Sequence, residues 1–145
     1  MSGHEEQALA ERVVASMMAK DAFSQWLGIE VLEIGPCRAS IRMTVRDEMV
    51  NGFGVCHGGV PFSLADSALA FASNTHGRVT VSIENAITYP KRIVAGDVLT
   101  AAAEQDSMTN RLAFYHVTIR RGDEVVALFR GTVYRTNQPF FPDPE

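Results

Sequence analysis

One carboxylate, Asp66, stands in an otherwise uncharged segment, GGVPFSLADSALAFASN (58–74), with His57-Gly58-Gly59 at its mouth. If the segment is a helix, its first backbone N–H groups have no intrahelical partner and lie at the positive end of the dipole, where an oxyanion is stabilised. Pro61 suits a first helical turn, because it has no N–H to leave unpaired. Glycine at 58 and 59 leaves room for a substrate carbonyl to approach. Ser63, Asp66, Ser67, Ala70 and Asn74 then fall on one polar-and-small stripe of an apolar cylinder.

A buried, unpaired carboxylate costs several kcal/mol, on the order of the net stability of a small domain, so Asp66 needs partners or a use. Two readings fit. It is a nucleophile or general base in a partly dry cleft, or it is a structural carboxylate bonded to Ser63 or Ser67. Its neighbours divide the same way. Asn51 is a turn residue before Gly52 or a polar group facing the site, and His57 is a cap at the helix mouth or part of the chemistry. Asn74 is a C-terminal cap ahead of Thr75-His76-Gly77, or part of the pocket. Cys56 is a small buried filler.

The elements that must hold these groups are legible in the periodicity. Residues 5–27 read as helix, with Leu9, Val13 and Met17 four apart and the segment closing around Trp26 and Leu27. CRASIRMTVR (37–46) alternates Ala39, Ile41, Met43 and Val45 with polar residues, as a half-buried strand does. After the helix, Val79, Val81, Ile83, Ile87 and Tyr89 share one parity, and the run ends at Pro90, which cannot donate to a ladder. A further strand is expected over 97–105, and Arg121-Gly122-Asp123-Glu124 is a turn joining strands 111–120 and 124–135 as a hairpin. Residues 136–145, rich in proline, are expected to be an irregular tail. The sum is a single α+β domain over 1–145, with an N-terminal helical segment (1–27) and an antiparallel sheet wrapped around one long apolar helix.

Composition narrows the function. The chain has 145 residues, 46% hydrophobic and 21% charged, which is ordinary for a globular domain. Thirteen Lys and Arg against seventeen acidic residues, a net charge of −4, argue against nucleic acid as a partner. The amino terminus lacks a basic stretch followed by an apolar core, so a cytoplasmic location is expected. The most apolar run, 60–72, is shorter than the ~20 residues of a membrane span and is interrupted by Asp66, so no membrane partner is expected. Cys37 and Cys56 lie far apart without a CxxC spacing, and neither a metal site nor a disulfide is expected.

Asn51, His57-Gly58-Gly59, Leu64-Ala65-Asp66 and Asn74 together resemble the pattern of the hotdog-fold acyl-coenzyme A thioesterases of the phenylacetate-pathway (PaaI) type. The likeness continues through Leu27-Gly28-Ile29-Glu30, Met49-Val50-Asn51-Gly52, Tyr89-Pro90-Lys91, Gly96-Asp97, Tyr115-His116-Val117 and Val126 to Gly131, and spans roughly residues 20–135. It implies a hotdog fold whose chains pair into one larger sheet, with active sites at the dimer interface, and a homotetramer built from two dimers. It also implies thioester hydrolysis, with Asp66 as nucleophile or as base for water and the Gly58 or Gly59 amide as oxyanion donor. Asn51, from the opposite chain, would orient water or substrate, and His57 would support the binding geometry. Coenzyme A is then part of the substrate, and no separate cofactor is implied. Its phosphates would meet Lys91, Arg92 and Arg111, while Phe62, Ser67, Ala70 and Asn74 would line an acyl pocket. Phenylacetyl and hydroxyphenylacetyl thioesters are the substrates the resemblance suggests. Medium-chain thioesters, or binding without turnover, are the alternatives.

Overall fold

The structure is a computed structural model that describes residues 1–142. In chain order it comprises α1 (Gly3–Lys20), α2 (Ala22–Leu27), β1 (Glu30–Gly35), β2 (Arg38–Thr44), a short 3-10 turn (Asp47–Met49), α3 (Gly59–Asn74), β3 (Arg78–Thr88), β4 (Val98–Met108), β5 (Leu112–Arg121) and β6 (Glu124–Pro139). The helix read over 5–27 is broken in two at Asp21. That carboxylate accepts from the backbone N–H of Ser24 at 2.9 Å and from its hydroxyl at 2.6 Å, so it caps α2 as a new helix. Gly28, at φ +76°, then closes α2 in the left-handed conformation that glycine adopts without strain.

All six strands form one antiparallel sheet in the order β1-β2-β4-β5-β6-β3. Its inner face presents Ala39, Ile41 and Met43 from β2, Leu99 and Ala101 from β4, Tyr115 and Val117 from β5, and Phe129 and Val133 from β6, around the buried Leu64, Leu69 and Phe71 of α3. Each such large side chain withdrawn from water contributes roughly 1.5–3 kcal/mol, so a helix apolar on most sides gains by being wrapped. The expected curved sheet around a central helix is the architecture found. No helix among the described residues is long and apolar enough to cross a membrane.

Strand order departs from sequence order. The strand that follows α3 does not lie beside β4; it forms the sheet edge against β6, while β4 pairs with β2. Residues 136–139, expected in the irregular tail, continue β6: Pro139 pairs opposite Arg78, and the Phe140 N–H donates to the Gly77 carbonyl at 2.7 Å. An 11-residue β3 needs a long partner, and a proline at the strand's end leaves no interior ladder bond unmade. Residues 143–145 of that expected tail lie outside the described residues. The apolar parity of β3 does not all face the core either. Val81 and Ile83 are 48% and 58% exposed, next to an irregularity in pairing between Ser82 and Glu84.

Candidate active site

The loop before α3 is built by its own polar groups. The side-chain oxygen of Asn51 accepts from the N–H of Phe53 at 2.9 Å and of Val55 at 3.3 Å, which folds 51–55 into a turn. Cys56 then donates its N–H to Ile93 and His57 to Met49, anchoring the approach to the helix. At the mouth, Nδ1 of His57 accepts from the Gly59 N–H at 2.9 Å, and the Tyr89 hydroxyl donates to the Gly58 carbonyl at 2.6 Å. The sequence left Gly58 and Gly59 equivalent as oxyanion donors. In the structure the Gly59 N–H is engaged, and the Gly58 N–H donates to no group among the described residues.

Asp66 lies about two turns along the same helix, half-buried. Neither hydroxyl that could have made it structural reaches it. Ser63 donates to the Gly59 carbonyl at 2.7 Å, and Ser67 shares a 2.8 Å hydrogen bond with Ser24. Its partner is Asn85 of β3, whose Nδ2 stands 3.4 Å from Oδ1. Burial pushes the Asp66 carboxyl above the usual carboxylate range, the Asn85 amide opposes that shift, and the negative charge of Asp21 adds to it. A carboxylate made more basic in this way is suited to take a proton or to attack carbon.

Asn85 was missed in the sequence, although a signal was there: it is the polar residue that interrupts the apolar parity of Val79 to Tyr89. Its amide is oriented by Ser82, whose hydroxyl donates to Asn85 Oδ1 at 2.9 Å, so that Nδ2 faces Asp66. Gly131 pairs opposite Asn85, and a Cβ there would fall 2.7 Å from Asn85 Oδ1 and 2.6 Å from Leu69 Cδ2. A glycine in β6 therefore makes the space that both the amide and the helix occupy.

The remaining expected site residues separate into three groups. Phe62 and Ala70 are half-buried on the helix flank that carries Asp66, and Phe62 packs edge-on to Phe129 with ring centroids 5.4 Å apart. Ser67 and Asn74 are framework instead of pocket. Ser67 is spent on Ser24, and the buried Asn74 donates to the Ala70 and Thr80 carbonyls at 2.8 and 3.1 Å while accepting from the Thr80 N–H at 2.9 Å, bolting the helix end to β3. Periodicity showed their face but not their partners. Cys56 is buried and its thiol is pushed up to about 11, chiefly by burial and then by Asp97, which disfavours the thiolate and fits the small buried filler expected.

Lys91 and Arg92 line a cleft of about 300 Å³ together with Cys56, Gly58, Pro61 and Tyr89, and among the described residues neither forms an ion pair. Their loop is fixed from below by Asp97, which accepts from the Val94 N–H and from Arg121, while Arg121 also donates to the Arg92 carbonyl. Arg111 is not brought to this cleft within the chain. It sits at the β4–β5 turn, where it donates to Asn137 at 2.7 Å and its carbonyl accepts from the Arg135 N–H. A larger cavity, about 630 Å³, lies between α1 and β1 among Val14, Met18, Leu32 and Ile34, and holds none of the groups described above.

The sequence matches the thioesterase superfamily over residues 53–128. It is 39% identical to a candidate esterase of Archaeoglobus fulgidus over 92% of this chain and 88% of that protein. It is 37% identical to the acyl-coenzyme A thioesterase PaaI of Escherichia coli over 83% and 86% of the two chains. The solved structure of the E. coli PaaI protein, from the phenylacetic acid degradation operon, superposes with a TM-score of 0.89, covering 92% of this chain and 97% of that one at 34% identity.

Proposed function

Because the chain belongs to the thioesterase superfamily, whose hotdog fold it has, we propose that it hydrolyses small aromatic acyl-coenzyme A thioesters, phenylacetyl and hydroxyphenylacetyl groups first, in phenylacetate catabolism. Two features carry the mechanism: a backbone N–H at Gly58 with no acceptor among the described residues, and the half-buried carboxylate of Asp66 about two turns further along the helix, so pairing of two chains brings the Gly58 N–H of one to the Asp66 of the other. The substrate carbonyl oxygen takes the Gly58 N–H, which strengthens its hold as negative charge develops on that oxygen. Asp66 supplies the attacking oxygen or removes a proton from the water that attacks. The C–S bond breaks, coenzyme A leaves as the thiol after gaining a proton, and the acid is released. If Asp66 attacks, water must open an anhydride afterwards; where it does so at the aspartyl carbonyl, a single turnover in oxygen-18 water labels the Asp66 carboxyl, a result the base mechanism cannot give.

Asn51 and His57 act around this pair. His57 shapes the mouth through the Gly59 N–H, and Asn51, its oxygen held within its own loop, reaches the site of a second copy with its side-chain amide, which donates to no group among the described residues. The exposed edge of β3, with Val81 and Ile83, supports pairing of two chains into a continuous sheet, and two such dimers make a tetramer. Phe62 and Ala70 flank the acyl group, and Lys91 and Arg92 meet the phosphates of the coenzyme. The likeness to the E. coli PaaI protein, from the phenylacetic acid degradation operon, supports the aromatic assignment. Thiol release from a panel of aryl and fatty acyl-coenzyme A thioesters tests it: fastest turnover of phenylacetyl thioesters upholds the assignment, and a preference for medium chains replaces it.

A further inference from the structure

The peptide joining Gly58 to Gly59 is gripped at both ends. Its N–H donates to Nδ1 of His57 at 2.9 Å, and its carbonyl accepts from the Tyr89 hydroxyl at 2.6 Å, in addition to the Phe62 N–H at 3.3 Å. A peptide unit is planar, so fixing its two polar ends fixes the rotations on either side of it. That matters at a pair of glycines, which have no side chains to restrict them and otherwise sample a wide range of φ and ψ. The Gly58 N–H, which has no acceptor among the described residues, belongs to the preceding peptide, whose His57 carbonyl accepts from the Val60 N–H at 2.9 Å; the two planes meet at Gly58, so holding the second limits how far that N–H can turn.

Tyr89 is placed for that grip by the end of β3. Pro90 stops the ladder one residue later, and the ring turns to the helix mouth, where it lines the same cleft as Gly58 and Lys91. Burial pushes its hydroxyl above the usual phenol range, so it remains a donor over the working pH range. The fit is close: a Cβ on Gly58 would stand 3.1 Å from Tyr89 Oη and 3.3 Å from Cζ. No side chain at 58 leaves the ring where it is.

We propose that Tyr89 is a positioning residue for hydrolysis: through the Gly58 carbonyl it aims the Gly58 N–H at the substrate's carbonyl oxygen, without touching the substrate. This rests on the thioesterase reading above. The oxyanion exists only beyond the ground state, so the effect belongs in kcat and not in KM. Tyr89→Phe keeps the ring and loses the donor. Its kcat should fall about tenfold, with KM within about twofold of wild type and Tm and sedimentation unchanged. His57→Ala combined with Tyr89→Phe should lose less than the product of the two single losses, because both hold one plane. A wild-type kcat in Tyr89→Phe, a loss confined to KM, or a loss that tracks a fall in Tm overturns the role and leaves hydrolysis in place. A wild-type chain that releases thiol from no thioester overturns this role together with the reading beneath it.

Discussion

Asn85 of β3 donates its side-chain amide to the carboxylate of Asp66 on α3 at 3.4 Å, a contact that links the sheet edge to the middle of the helix it wraps. The amide favours the charged carboxylate, and the charge of Asp21 disfavours it. Opposite shifts follow from removing one or the other. The proposed mechanism requires Asp66 deprotonated for turnover, so Asn85→Ala should move the acid limb of the pH–kcat profile to higher pH. Asp21→Asn, which keeps the α2 cap, should move it to lower pH. Profiles that do not move, or that move together, would refute the pairing.

Gly131 should matter to the same limb from the neighbouring strand. In Gly131→Ala the new methyl collides with Asn85 and Leu69, so we expect about 1–3 kcal/mol of lost stability in urea melts, with the acid limb displaced as in Asn85→Ala. Gly52, around which a Cβ would meet nothing within 4 Å, is the control: Gly52→Ala should leave both quantities near wild type.

Asp66→Ala and Asp66→Asn should each lower kcat at least ~100-fold while sedimentation stays unchanged. They should also stabilise the chain at neutral pH. The folded carboxyl has a raised pKa, so the folded state binds the proton more tightly than the unfolded state, and stability falls as pH rises through the carboxylate range. The Tm of Asp66→Asn should therefore exceed wild type at pH 7, and the gap should close as the pH drops below the ordinary carboxylate value. Equal Tm at both pH values would mean that the carboxylate is not strained by burial.

Lys91→Ala and Arg92→Ala should raise KM for a coenzyme A thioester roughly 3–10-fold, more at low salt than at high, with kcat nearly unchanged. The same variants should match wild type on a pantetheine thioester, which lacks the nucleotide phosphates. An equal loss on both substrates would place the lysine and arginine at the pantetheine arm.

His76, next to the end of α3, is held neutral. Burial first, then Arg135 and Arg78, bring it down to about 4. The unfolded chain takes up this proton near pH 6.5, so the stability the neutral ring contributes is present above that value and is lost as the pH falls towards 4. His76→Gln should flatten the fall in Tm between pH 6.5 and 4. A slope identical to wild type would assign acid sensitivity to other groups.

Much of this was legible because its causes are local. Alternation along 37–46 located β2, the Arg121–Glu124 turn located the final hairpin, and the glycines with Pro61 located the start of α3. Partner choice was not local. Alternation in β3 does not say that β6 will be its neighbour, and a single capping carboxylate at Asp21 breaks a helix that periodicity alone carries through to residue 27. The site followed the same division. Asp66 stood out as a charge in an apolar run, whereas Ser67 and Asn74 shared its stripe but are committed to Ser24 and Thr80. Tyr89 read as one more apolar position, because its use depends on a carbonyl 31 residues earlier in the chain.

The edge position of β3 has a consequence for synthesis on the ribosome. The strand leaves the ribosome soon after α3, but its partner among the described residues, β6, is made only after β4 and β5. At about 5–20 residues per second, β3 waits several seconds for its ladder, with its backbone donors and acceptors unpaired and Val81 and Ile83 facing solvent. During that interval the nascent chain is open to mispairing with other nascent chains, so slower translation between β3 and β6 should lower the yield of correctly folded protein more than equal slowing before α3.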